Sequence, residues 1–472
     1  MGFAAILLTL TLQTQVGAPV SAAPSSAPTQ TRAAPAVGER QEMPPPAPRD
    51  PEPDRPLLTL ADAERVALST QPLLRQAHAA TAAAEGRVEQ ARSGYLPQVV
   101  ATGQYQRATG NFATRPGAFP AFTTTTFSTP TPSLTTTYDY WNFGVAASQL
   151  IYDFGQTSER WRAANRSVDA FKETERTSRN QVLFNIRNAY YNARAQKALV
   201  NVAEETLSNQ KKHLGQIEGF VRVGTRPEID LAQAKTAVAN ARVSLIDSEN
   251  GYNVARAQLN LAMGVAGGSE YDVTDDASPP VPGEDLPIVT LVKRALAERP
   301  ELANLTRQRE AEELTIRSLE GAYGPSVGAA TGATAAGVDL TNLTPNWYAG
   351  LNLNWPILQG GLTRGQVHEQ QANLSGLRAQ EDQEKLQVHL DVEQAVLALG
   401  AAKASIEATE EALTSARDQL RLAEGRYTAG VGSIIELGDS QVALTSASAQ
   451  RVQADFNLSV ARAQLHAALG TP

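Results

Sequence analysis

Apolar residues through the middle of the chain recur three and four positions apart. Val200, Ala203, Leu207, Gln210, Leu214, Ile217 and Val221 step in this way, a heptad seam that predicts a helix packed along a partner. Beyond a turn at Gly224, Leu231, Val238, Leu245, Tyr252 and Leu259 recur every seven residues. No proline occurs from Gln156 to Arg226, so a helix over 156–222 runs unbroken for roughly 100 Å. Ordinary globular helices span about 10–14 residues. One this long needs a second helix beside it, which predicts a coiled-coil hairpin reversing at Gly224.

Elsewhere the period changes to two. Trp347, Ala349, Leu351, Leu353 and Trp355 alternate with Asn346, Tyr348, Gly350, Asn352 and Asn354. Trp141, Phe143, Val145 and Ala147 alternate in the same way with Asn142, Gly144, Ala146 and Ser148. These segments predict strands with one apolar and one polar face. Gln98–Gln106 and Ser326–Ala336, each just after a proline, read as further strands.

The pattern is written twice. Val254-Ala255-Arg256-Ala257-Gln258-Leu259 returns as Val460-Ala461-Arg462-Ala463-Gln464-Leu465, an offset of 206. The same offset carries Trp141 to Trp347, Gly155 to Gly361, Gly224 to Gly430 and Gly264 to Gly470. The second copy of the seam is Ile406, Thr409, Leu413, Ala416, Leu420, Ala423 and Tyr427, followed by Leu437, Leu444, Leu458 and Leu465, with Arg451 an exception. Upstream, Pro72 and Pro97 match Pro300 and Pro325 at 228. The first copy therefore carries 22 extra residues between Pro97 and Trp141, the difference between the two offsets. They include the uncharged, low-complexity stretches Phe122–Phe127 and Thr135–Thr137, which fit an exposed loop. The repeats are expected at 57–264 and 286–470, joined by a Gly-, Pro- and Asp-rich connector, 265–285.

At the N-terminus, Phe3–Leu12 is apolar apart from two threonines, and Val20-Ser21-Ala22 matches a small-x-small cleavage site. Residues 1–22 read as a secretory signal peptide, although no Lys or Arg precedes the apolar run. Residues 23–56 are rich in proline and alanine and read as an extended tether.

Composition narrows the chemistry. The chain has 472 residues, a formal net charge of −8 and no cysteine, which excludes disulfides, thiol nucleophiles and Cys-ligated zinc and predicts no Cys-anchored lipid. A mildly acidic balance argues against nucleic acid as a partner. The histidines are scattered, and no His-Glu-x-x-His, Gly-x-Ser-x-Gly or phosphate-loop motif occurs, so neither an enzyme nor a cofactor is expected. Asp272, Asp275 and Asp276 read as a solvated turn; the alternative, a calcium site, would want a loop glycine and a distal glutamate.

The strands point to a membrane. No run is long and apolar enough for a transmembrane helix, but alternating strands ending in Trp141, Trp347 and Trp355 match the interfacial aromatics of a membrane barrel. Four strands cannot close alone, and a soluble sheet of four would leave exposed edges. Three chains would supply twelve strands. Twelve helical columns also follow if the shorter helices 72–94 and 300–322 stack end to end with others.

With the duplication, the strand ends Leu150-Ile151-Tyr152-Asp153-Phe154-Gly155 and Trp355-Pro356-Ile357-Leu358-Gln359-Gly360-Gly361, and the two tips around Gly224 and Gly430, residues 57–470 resemble the TolC family of outer-membrane export channels. The resemblance implies a mainly α fold, a trimeric channel-tunnel with a coiled-coil barrel and a 12-stranded transmembrane β-barrel. It implies a homotrimer in the outer membrane, reaching into the periplasm. Its partners would be a periplasmic adaptor and an inner-membrane pump or ABC transporter, and the duct would serve efflux or type I secretion.

The same resemblance assigns residues. Val223, Gly224, Thr225, Gly430, Val431 and Gly432 match tips that meet the adaptor. Glu436 and Asp439, three apart and so on one helix face, match acidic positions at the periplasmic entrance. Tyr427 and Asp230 match two members of a closed-state tip network. The third, an arginine, falls at Gly432; Arg226 is the nearby candidate to replace it. Two other readings of the same patterns are a periplasmic adaptor, which usually has one hairpin flanked by β-domains, and a soluble coiled-coil scaffold.

Overall fold

A computed structural model describes residues 56–109, 137–268 and 270–471. The expected signal peptide, almost all of the expected tether and most of the expected threonine-rich loop lie outside the described residues. In chain order the elements are β1 (Leu57–Leu58), α1 (Leu60–Thr70), α2 (Pro72–Ser93), β2 (Gln98–Thr109), β3 (Thr137–Tyr152), α3 (Gln156–Arg222), α4 (Glu228–Met263) and β4 (Asp272–Val273). They continue as α5 (Ile288–Glu298), α6 (Pro300–Gly321), β5 (Ser326–Gly337), β6 (Thr344–Asn354), α7 (Leu362–Thr428) and α8 (Ile434–Leu469).

The repeat is carried into the backbone. α3 and α7 are each 67 residues long and start 206 positions apart, and α4 and α8 are each 36 residues. α3 packs along α4, and α7 along α8. Ala203, Leu207 and Ile217 are buried in the first seam, and Leu413, Ala416, Leu420, Ala423 and Tyr427 in the second. Opposite them many of the buried positions are small, among them Ala234, Ala241 and Ala255 on α4, and Ala447, Ala454 and Ala461 on α8. Small residues let the helices approach closely along their whole length. Arg451, the heptad exception, reaches back to Glu410 of α7 at 2.7 Å.

Two matched cores hold the middle of the hairpins. One gathers Ala63, Ala67, Val182, Ile186, Leu259 and Met263. The other gathers their counterparts Leu291, Ala295, Val388, Val392, Leu465 and Leu469. The long hairpins end on left-handed glycines. A Cβ on Gly264 would lie 2.9 Å from Gln71 Cα, and one on Gly470 2.9 Å from Arg299 Cα. Glycine is needed at both because the helix end abuts the backbone that starts α2 or α6.

The connector 265–285 is a clamp rather than a slack tether. β4 pairs in parallel with β1. Asp272 takes Lys197 at 2.6 Å and the Tyr252 hydroxyl, and Asp275 takes Arg194 at 2.8 Å. Arg194 also reaches Asp455 of α8 at 2.8 Å. Glu284 accepts Lys403 of α7 at 2.8 Å and Arg462 of α8 at 3.3 Å. The aspartates read as a turn are thus spent on cations and on Thr274, and among the described residues no cluster of three His, Cys, Asp or Glu side chains forms a metal site.

The strands form one antiparallel sheet in the order β2-β3-β5-β6. The two hairpins expected from the repeats are joined because β3, at 16 residues, pairs with both β2 and β5.

Candidate functional sites at the sheet and the hairpin tips

Register divides the sheet into two chemistries. Tyr105 pairs with Trp141, Ala101 with Val145, Val145 with Ala333 and Ala333 with Trp347. The odd-numbered residues therefore share one face, which carries Val99, Trp141, Phe143, Val145, Leu351 and Leu353. Trp347 and Leu351 are 81% and 75% exposed there, far too much apolar surface to face water over a contiguous patch. The even-numbered residues form the other face, rich in Gln, Asn, Ser, Thr and Gly. β2 and β6 keep one unpaired edge each among the described residues. Among the described residues no helix is long and apolar enough to cross a membrane.

The predicted aromatics lie along this face. Trp141 stacks against Tyr105, ring centroids 4.4 Å apart, and against Phe143 at 6.3 Å. Trp355, just past β6, donates its Nε1–H to Tyr323 O at 3.1 Å. That bond anchors the helix-side end of the strand.

At the opposite end of the hairpins the two tips meet. Gly224 and Gly430 adopt φ of +76° and +80°, the left-handed cap that closes a helix and that a Cβ would strain. Val223, Gly224, Thr225, Gly430 and Val431 are exposed. Gly432 is buried instead: a Cβ there would lie 2.8 Å from Tyr427 N, so no side chain, arginine included, fits without a shift. Ser433 caps α8 by accepting the Glu436 N–H at 3.1 Å.

Tyr427 is the centre of the tip. It is 2% exposed, with Phe220 edge-on at 6.3 Å. Its hydroxyl reaches Asp230 Oδ2 at 3.4 Å. Burial, then the Asp230 charge, push the phenol up from its ordinary pKa, so it stays neutral near pH 7. Arg226 lays its guanidinium 4.4 Å over the Tyr427 ring and donates to Tyr427 O at 3.1 Å and Gly432 O at 3.3 Å. Arg226 of the first tip thus reaches two backbone carbonyls of the second. Glu436 pairs with Arg426 at 3.0 Å, and Asp439 is exposed one turn further along α8. A contact absent from the sequence reading, His213 Nε2 to Glu424 Oε1 at 3.1 Å, ties α3 to α7 behind this cluster.

Residues 65–265 and 291–471 match the family model of the outer membrane efflux proteins. The chain belongs to the outer membrane efflux protein family. The outer membrane efflux protein BepC of Brucella suis is 24% identical over 386 residues, covering 80% of this chain and 78% of BepC. The probable outer membrane lipoprotein SilC of Salmonella typhimurium is 22% identical, covering 71% of this chain and 73% of SilC. Among solved structures, the CmeC outer membrane channel of Campylobacter jejuni superposes with a TM-score of 0.73 at 16% identity, over 87% of this chain and 85% of CmeC. CusC gives 0.72 at 19%, over 90% and 96%. Likeness at such identity speaks for the fold, a TolC-like arrangement of long helices and a small sheet. The efflux protein sits in the outer membrane with its hairpins reaching into the periplasm, and it serves as an exit duct. That sets aside the adaptor and scaffold readings.

Proposed function

We propose that this efflux protein works as a homotrimer, the passive outer-membrane end of a tripartite export machine, with no catalysis of its own. The observation that carries this is the sheet: one apolar face, one polar face and two unpaired edges. Four strands fall short of the ~8 that close the smallest membrane barrels, and backbone facing lipid must be fully paired. Joining β6 of each copy to β2 of the next gives twelve strands and no edge. Two matched units, 57–264 and 286–470 about the connector 265–285, then alternate around the ring.

The exposed tip residues Val223, Gly224, Thr225, Gly430 and Val431, with Gly432 shaping the turn beneath them, dock a periplasmic adaptor. An inner-membrane pump or ABC transporter supplies the energy. Threefold symmetry makes rings of Glu436 and Asp439 at the entrance, a device suited to cation-permeable pores. Tyr427, Asp230 and Arg226 hold the two tips together in the closed duct. Native mass spectrometry of protein extracted from the outer membrane should give a species of three chains; a stable monomer or dimer would overturn the proposal.

A further inference from the structure

Charged residues make up 19% of the chain, yet among the described residues none lies on the polar face of the four strands. The two strand charges, Arg107 and Asp139, both sit on the apolar face, where they pair at 3.8 Å. The polar face carries carboxamides instead, among them Gln104, Asn142, Asn346, Asn352 and Asn354. Between them stands the half-exposed ring of Tyr348. Glycines across the ladder let these groups lie flat. Gly332 faces Tyr348 and Gly328 faces Asn352, and a Cβ on either glycine would come within 2.9 Å of the ring or 2.7 Å of the amide.

We infer that the bore of the barrel is a contact surface for uncharged, hydroxyl-rich cargo. The inference rests on the trimeric duct proposed above, in which the polar face turns inward. A carboxamide both donates and accepts without carrying charge, so it exchanges hydrogen bonds with a hydroxyl as the cargo sheds water. A tyrosine ring lying flat offers an apolar platform with a polar tip to the C–H faces of a sugar-like molecule. A charged bore would hold counter-ions and reject one sign of cargo. Many weak neutral contacts instead meet the requirement that cargo bind well enough to enter and loosely enough to leave.

The test is single-channel recording of the reconstituted full chain with maltohexaose, a neutral oligosaccharide, added on the barrel side. Resolvable current blockades are expected. Their dwell time should fall about fivefold in Tyr348→Ala/Asn352→Ala, the effect of losing a contact or two of hydrogen-bond strength. It should survive in Tyr348→Phe, which keeps the ring. An open pore without blockades, or dwell times unchanged by the double bore variant, overturns the inference and leaves the duct standing. Absence of any conductance even in Arg226→Ala, whose tips are untied, removes the duct itself, and the bore with it.

Discussion

Arg226 and Tyr427 come from different helical hairpins, yet the guanidinium of one lies 4.4 Å over the ring of the other. The hydroxyl contact of that ring, to Asp230, is long at 3.4 Å. The stacked arginine with its two carbonyl contacts is therefore the stronger tie. Arg226→Ala should cost the tip about 2–3 kcal/mol, the sum expected of a partly buried cation–π contact and a charge-assisted hydrogen bond. Single-channel conductance should rise more in Arg226→Ala than in Tyr427→Phe or Asp230→Ala. The reverse order would place the lock at Asp230.

Restoring an arginine to the second tip should harm it. Gly432→Arg drives a Cβ into Tyr427 N and the Arg426 carbonyl carbon, at 2.8 and 3.0 Å, an overpacking that costs about 1–3 kcal/mol. Thermal unfolding should move down, and a neutral or upward shift would show that the turn yields.

The clamp at the connector predicts acid sensitivity. Burial works against ionising Asp272, but hydrogen bonds from Lys197 and Tyr252 outweigh it and hold the carboxyl below its ordinary pKa. Glu284 is likewise held down against burial by Lys403, the Val281 N–H and Arg462. Both carboxyls bind fewer protons folded than unfolded. Their stabilisation is present above the ordinary carboxylate range near pH 4 and is lost as pH falls through their lower folded values. Protection across 265–285, with the intrinsic pH dependence of exchange divided out, should fall between about pH 5 and pH 3 more than protection in the seams of α3 and α7. A uniform fall would remove the clamp from the account.

Glu284 also invites direct removal. Its side chain is 7% exposed between two cations. Glu284→Gln leaves Lys403 with Asp285 and Arg462 with the Ser278 carbonyl, and should cost about 1.5–3 kcal/mol, the scale of hydrogen bonds to a charged group. Calorimetry of the variant at neutral pH measures this, and a loss under half of that value would mean the cations find water.

The two faces of the sheet should answer differently to charge. Leu351→Arg places a cation on the lipid side, at about 2–4 kcal/mol near the bilayer midplane, and should abolish recovery of folded protein from outer membranes. Asn352→Arg, one residue on and on the polar face, should assemble normally.

Much of this was written in the sequence. The period of 3.5 placed both long hairpins and the reversal at Gly224, because a stripe of Leu, Val and Ala can be buried only one way. Alternation placed the strands and told Leu351 from Asn352. Long-range polar pairs were hidden. Asp272 and Glu284 look like loop residues until Lys197, Lys403 and Arg462 are folded onto them, and nothing in a spacing rule links positions so far apart. Arg226 was visible only as a candidate. Its target is a pair of backbone carbonyls, which leave no mark on residue identity, and the burial of Gly432 that excludes a second arginine shows only once the turn is built.

The double pairing of β3 has a consequence for how the protein is made. Its neighbour β2 precedes it directly, but β5 starts at Ser326, beyond two helices each several times the usual length. As the chain is delivered from its N-terminus, β3 spends that interval with one edge open, a template for pairing with the wrong strand. Assembly is therefore paced by the arrival of the second repeat. Periplasmic holding factors that shield a single β-hairpin should matter most in that interval.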